Sequence, residues 1–299
     1  MTRPLVSVII PTYNRDEIVS RAIESVLGQT YKKFELIVVD DASTDGTEDV
    51  IRNYSDERIN YICHDINRHV SAARNTGLEH ASGDYIAFLD DDDEWLPTKL
   101  EKQVSCLQNT NTETGLVYCW MEYRDGNATV KQYQPRLKGD IFEAAIGGQP
   151  IGGCSTLVVQ RNVIDQIGGF DESLPRGNDG DFIRRVAYEF DVTYVPEILL
   201  RYYMDRDRDR ITKETISNIK NAIKSNEIKL KKFATELEQN PRLKSEIYAR
   251  LGLRHCQLGN YQTGVSYHLK AIQKNPLNLA VYHHQAVTIH RLLTGGCWR

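Results

Sequence analysis

Phe34-Glu35-Leu36-Ile37-Val38-Val39-Asp40-Asp41-Ala42-Ser43-Thr44-Asp45-Gly46 is an apolar run of strand length that stops at an acidic pair and turns into a helix predicted from about Thr47. Upstream, Leu5 to Ile10 reads as a second strand. It is followed by a helix whose apolar positions Ile18, Val19, Ala22, Ile23, Val26 and Leu27 recur at helical spacing. Downstream, Ile59 to Cys63 reads as a strand, Val70 to Ala81 as a helix and Tyr85 to Leu89 as a strand. Strands alternating with helices of this length predict an α/β fold with a mostly parallel central sheet flanked by helices. Such sheets bind ligands beyond the carboxyl ends of their strands. Three strand ends here carry polar clusters that should converge: Pro11-Thr12-Tyr13-Asn14-Arg15, Asp40-Asp41 and Asp90-Asp91-Asp92-Asp93.

The 299 residues hold 37 Lys and Arg against 41 Asp and Glu, a net charge of −4. This balance argues against a nucleic-acid partner, which calls for a basic excess or stripe. With 40% hydrophobic and 26% charged residues the chain can build a core. No apolar run reaches the ~18 residues of a membrane span, and the amino terminus shows no leader pattern, so a cytoplasmic protein is expected. The six cysteines are scattered without a Cys-x-x-Cys pair, which suits reduced thiols; any metal is expected on oxygen ligands.

Beyond Gly115 the pattern is less regular. Gly115 to Tyr123, Ala128 to Tyr133 and Ser155 to Gln160 read as strands, Gly147 to Gly153 as a loop, and Asp179 to Glu189 as a helix. After the Asp-Arg alternation of 205–210, which reads as a solvated charge run, the sequence turns helical. Glu214 to Gln239 is one long Lys-rich segment ended by Pro241. The expected division is 1–210 and an α-helical region, 211–299.

Four consecutive aspartates repel one another, and a divalent cation is the natural compensation, because Mg²⁺ and Mn²⁺ bridge one or two carboxylates to substrate phosphates. Alone, the run is equally an acidic loop before the helix begun near Pro97. Asp40-Asp41 on a neighbouring strand end tips the balance: a carboxylate there can accept from a nucleobase N–H or a ribose hydroxyl, with Tyr13 stacking on the base. Asp41 as a turn former and Tyr13 as an ordinary half-buried ring are each plausible separately; their joint placement disfavours both.

Val6 to Arg15, Gln29-Thr30-Tyr31, Phe34 to Thr47, Ser71-Ala72-Ala73-Arg74-Asn75-Thr76-Gly77 and Gly83 to Asp93 together resemble family 2 glycosyltransferases of the GT-A fold, over roughly the first two thirds of the chain. The resemblance implies a nucleotide-sugar donor, a UDP-sugar first, and a divalent metal, Mn²⁺ or Mg²⁺. It also implies inverting transfer to an acceptor hydroxyl on a saccharide or lipid-linked acceptor. Carried over by position, Pro11, Thr12 and Tyr13 line the base pocket, Asp41 accepts from the base, and Arg15 and Arg74 lie near the nucleotide. Asp90-x-Asp92 matches the family's DxD motif, with Asp92 as the first metal ligand, Asp90 fixing the loop and sharing the metal, and Asp91 beside the ribose. Asp179, after Gly168-Gly169-Phe170-Asp171-Glu172, keeps the position of the general base, with Asp181 as fallback; helix capping is the alternative for Asp179.

Three departures stand out. His69 replaces the family's Gly, Asn178 replaces an acidic residue, and no His occurs between Asp171 and Arg210, where family members often carry one. The last two motivate a rival reading: a degenerate nucleotide-sugar-binding protein whose helical tail recruits a partner. A nucleotidyltransferase is disfavoured because Pro11 to Arg15 is not a Gly-rich phosphate loop. In the tail, Leu251-Gly252, Gly264, Tyr267, Ala271 and Asn275-Pro276 resemble one tetratricopeptide repeat, at about 245–278. A single repeat must stack on neighbouring helices, so the tail either packs within the protein or serves a protein partner. Lys220, Lys224, Lys229, Lys231 and Lys232 offer a peripheral contact to the inner face of a membrane, against the alternative of a solvated helix.

Overall fold

The computed structural model describes residues 3–204, 215–277, 279, 281–283 and 286; the charge run at 205–210 lies outside them. Contacts divide the chain into two units. The first comprises 1–145, 149–172 and 179–207, and the second 146–148, 173–178 and 208–299.

The first unit opens with β1 (Val6–Thr12), α1 (Val19–Leu27), β2 (Phe34–Asp40), α2 (Thr47–Arg52), β3 (Ile59–Cys63), α3 (His69–His80) and β4 (Tyr85–Phe88). It continues through β5 (Asp93–Trp95), α4 (Lys99–Gln108), β6 (Thr114–Asp125), β7 (Ala128–Tyr133), α5 (Phe142–Gly147), a 3-10 turn (Cys154–Thr156), β8 (Val158–Gln160), α6 (Arg161–Ile167), α7 (Asn178–Glu189) and β9 (Asp191–Tyr203). The nine strands form one sheet in the order β3-β2-β1-β4-β8-β6-β9-β5, with β7 on β6. Pairs among β1 to β4 are parallel, as is β6 with β9; β8 runs antiparallel to β4 and β6, and β5 to β9. The sheet is therefore mixed, and the parallel strands that the sequence predicted, β1 to β4, make up one side of it.

The apolar runs are continuous because both faces are covered. Val8, Ile10, Leu36 and Val38 pack with Val19, Ile23, Leu100 and Val104 on one side. Ile9, Ile37 and Val39 pack with Ala73, Val163, Phe182 and Val186 on the other. Each such side chain contributes about 1.5–3 kcal/mol on burial. The close seat of α3 depends on Gly77, where a Cβ would lie 2.4 Å from Ile9 Cγ2.

Two local readings are corrected. Ser155 and Thr156 belong to the 3-10 turn, so only Val158–Gln160 of the expected strand pairs. Asp93 is no part of an open acidic loop; it is buried as the first residue of β5, opposite Tyr202.

In the second unit the expected single helix is broken at Phe233 (φ −113°, ψ 38°) into α8 (Ile216–Lys232) and α9 (Ala234–Gln239). Pro241 then opens α10 (Pro241–Gln257), capped by Asn240, whose Oδ1 accepts from Leu243 N at 3.2 Å. A Ser245 Oγ to Ala271 O bond of 2.7 Å joins the start of α10 to the end of α11 (Tyr261–Lys274), an antiparallel pair. Lys229 is not a surface lysine: it is buried and its amine donates to Ile146 O. No helix among the described residues is long and apolar enough to cross a membrane.

Candidate active site

The carboxyl ends of β1, β2 and β4 meet, and their polar clusters meet with them. Asp41 N donates to Thr12 O at 2.8 Å, and Arg15 N to Thr47 Oγ1 at 2.8 Å, so the β1 end is tied to the turn after β2. Pro11 and Thr12 are buried, whereas the Tyr13 ring is 41% exposed, leaving a face open for stacking.

Asp41 is almost fully buried. Its Oδ1 accepts from His64 Nδ1 at 2.8 Å and from Arg68 N at 2.8 Å. His64 follows β3 and anchors its own N–H on Asp40 O. Neither His64 nor the Arg68 amide belongs to the motifs read from the sequence. His69, at the start of α3, has φ 68°. The backbone there is left-handed, a conformation that suits Gly, and His bears the strain.

The run at the β4 end separates by partner. Asp90 Oδ1 accepts from Arg74 Nη2 at 2.6 Å, and Asp91 lies 3.4 Å from Arg15 Nε. Among the described residues the Asp92 carboxylate has no hydrogen bond or ion pair, while its backbone carbonyl accepts from Arg21 Nη2 at 2.5 Å. Arg21 also lies over the Tyr203 ring, 3.8 Å from its centre, a second residue that the motifs did not reveal. Burial, reinforced by the Asp92 charge, pushes the Asp91 carboxyl up to about 7.

Arg74, on α3 and only 4% exposed in its side chain, spans the site. Its Nη2 reaches Asp90 and its Nη1 reaches Asp179 Oδ1 at 2.9 Å, with the guanidinium over the Phe170 ring. The 3-10 turn holds both carboxylate positions: Cys154 N donates to Asp179 Oδ2 at 3.1 Å, and Asp90 N donates to Ser155 Oγ at 3.1 Å. Burial works against the Asp179 carboxylate, yet Arg74 and the Cys154 N–H outweigh it and hold the group below the usual carboxylate range. For Asp90, burial prevails over the pull of Arg74 and holds it above that range. Asp181, the fallback base, is 3% exposed in its side chain and bonded to Arg185 Nε at 2.9 Å.

Among the described residues no three His, Cys, Asp or Glu side chains form a complete metal cage. Two carboxylates, Asp92 without a partner among the described residues and Asp90 on Arg74, fall short of such a cage; a hard cation held by so few protein oxygens takes the rest of its shell from water and phosphate.

The sequence model of the family described as Glycosyl transferase family 2 matches residues 7–167. A relative from Bacillus subtilis, the putative teichuronic acid biosynthesis glycosyltransferase TuaG, is 36% identical over 55% of this chain and 66% of its own. The Escherichia coli UDP-Glc:alpha-D-GlcNAc-diphosphoundecaprenol beta-1,3-glucosyltransferase WfgD is 37% identical over 54% of this chain and 62% of its own. The match thus spans just under two thirds of each relative. Among solved structures, Staphylococcus aureus TarS 1–349 superposes with a TM-score of 0.66 at 17% identity, over 98% of this chain and 93% of that one. The fold is that of GT-A glycosyltransferases, followed by a helical carboxyl-terminal region.

Proposed function

The chain belongs to glycosyl transferase family 2, and from that premise we propose that it is a metal-dependent, inverting glycosyltransferase using a UDP-sugar, with 1–210 as the catalytic region and 211–299 as its helical region. The observation that carries the proposal is the Arg74 bridge. One buried guanidinium, Arg74, reaches the DxD aspartate Asp90, 16 residues along the chain, and Asp179, 105 residues along it, so distant motifs share one site. The donor assignment draws support from WfgD, whose name specifies UDP-Glc and a diphosphoundecaprenol-linked acceptor. The same relative supports a saccharide or lipid-linked acceptor.

In this reading Pro11, Thr12 and Tyr13 receive the base, Asp41 accepts from its N–H, and Asp91 faces the ribose. Asp92 and Asp90 would hold Mn²⁺ or Mg²⁺, which supplies positive charge to the diphosphate when bound. Asp179 takes the proton of the acceptor hydroxyl as its oxygen bonds to the anomeric carbon. The bond from that carbon to the phosphate oxygen breaks, and its electron pair leaves with the nucleoside diphosphate. Attack opposite the leaving group inverts the anomeric centre. Arg15 and Arg74 offset the charge that grows on the diphosphate, and drawing Arg74 towards it frees Asp179 Oδ1 to act as base.

Asp92→Asn and Asp179→Asn are both expected to lower transfer by about 10²-fold or more. Only Asp92→Asn should also lose the increment that Mn²⁺ adds to UDP binding by calorimetry; an increment unchanged in that variant removes the metal assignment. Donor hydrolysis with Mn²⁺ distinguishes the rival, because a pure binding protein releases no nucleotide. Pelleting with anionic liposomes at low and moderate salt tests attachment to the inner membrane face; absence at both salts ends that idea.

A further inference from the structure

We propose that His64 is a positioning residue that makes the base pocket selective for a nucleobase presenting an N–H donor; the inference rests on the nucleotide-sugar reading above. The side chains of His64 and Asp41 are 7% and 5% exposed, so neither is a surface ornament. His64 has both ring nitrogens engaged. Nδ1 meets Asp41 Oδ1 at 2.8 Å and Nε2 meets Thr76 Oγ1 at 2.9 Å. A carboxylate oxygen accepts, so Nδ1 carries the proton and donates. The imidazole is therefore a rigid strut between α3, through Thr76, and the acidic turn after β2.

Its effect on Asp41 is one of occupancy and direction. Oδ1 already accepts from His64 and from the Arg68 amide at 2.8 Å, and among the described residues Oδ2 carries no hydrogen bond. Two donors from different segments fix the rotation of the carboxylate, so the open oxygen points one way and offers only acceptor capacity. A uracil ring brings N3–H to such a group, whereas cytosine brings a second acceptor at the same position. A buried polar site built for a donor rejects an isostere lacking it much more strongly than an apolar pocket rejects a change in size. Without the strut the carboxylate can turn, losing aim for the first base and relieving the conflict with the second.

The test is calorimetric titration of the full chain with UDP and with CDP, Mn²⁺ present throughout, for wild type, His64→Ala and His64→Asn. Wild type is expected to favour UDP. His64→Ala should weaken UDP by about tenfold, the size of one hydrogen bond to a charged group, and leave CDP unchanged or tighter. His64→Asn, whose amide can donate where Nδ1–H did, should recover most of the UDP preference. Its thermal melt also controls for a folding defect in the alanine variant. Equal loss for both nucleotides in His64→Ala, or a UDP preference that survives it, overturns the inference alone. Absence of UDP binding by wild type removes the donor reading, and this inference with it.

Discussion

Lys99 is the residue least explained by the site and most exposed to a physical test. It is fully buried, its amine has no hydrogen-bond partner among the described residues, and it lies 3.9 Å from the centre of the Trp95 ring. Burial pushes the amine down from 10.5 to about 8, with the neighbouring Cys119 opposing that fall. The folded state therefore releases its proton at lower pH than the unfolded chain. Stability should rise with pH between about 8 and 10.5 on this account, and below 8 the full cost of the buried charge is present. Lys99→Met is expected to stabilise the protein by about 2 kcal/mol at pH 7, after allowing for the lost cation–ring attraction, and to flatten that rise. Urea unfolding of both proteins at pH 7 and pH 10 measures it; equal slopes with pH would acquit the amine. The same scale shows what the sequence reveals of a site. Asp41, Asp90 and Asp92 stand at strand ends that the apolar runs mark, and Arg74 and Asp179 in stretches that the family resemblance picks out. His64, Arg21 and the Cys154 amide act through contacts between distant segments, and nothing in their local sequence distinguishes them.

At the scale of elements, legibility follows from how a strand is buried. β1 and β2 are apolar at nearly every position because helices cover both faces, so their runs declare themselves. β9 spans thirteen residues with buried, intermediate and exposed positions intermixed, and β5 is three residues, Asp93-Glu94-Trp95, paired only through β9. Neither has a period of its own to read. The break at Phe233 is likewise silent, since no Gly or Pro marks it. The α10–α11 pair is the opposite case, because small residues mark its contact. A Cβ at Gly252 would lie 2.2 Å from His268 Cδ2 and 2.9 Å from Gly264 O. His268 is itself buried and the second obstacle is backbone, so the helices must part. Gly252→Ala is expected to cost about 2–3 kcal/mol, more than the gain in helix propensity returns. A urea midpoint no lower than wild type would mean that the crossing is looser than its geometry.

The whole molecule divides along contacts that do not follow the order of the chain. Residues 146–148 and 173–178 come from the middle of the sequence, yet they belong with the carboxyl-terminal helices. Three backbone carbonyls there depend on side chains from those helices. Ile146 O accepts from Lys229, Gly147 O from Arg250 Nη2 at 2.6 Å, and Arg176 O from Ser225 Oγ at 2.9 Å. Sequence composition alone suggests a tail that could be removed at about residue 210; these bonds argue that its removal strips partners from internal loops. At about 1 kcal/mol for each bond, a chain ending at 210 should lose roughly 3 kcal/mol and melt about 10 °C lower. Single substitutions separate this from the general effect of truncation. Arg250→Ala and Ser225→Ala each delete one donor while keeping every helix, and each should lower the melting temperature of the full chain by about 2–4 °C. Their effects should add, because the two bonds share no partner. If the truncated chain melts with the full one, the helices are an appendage and their value to the protein must be sought in what they bind.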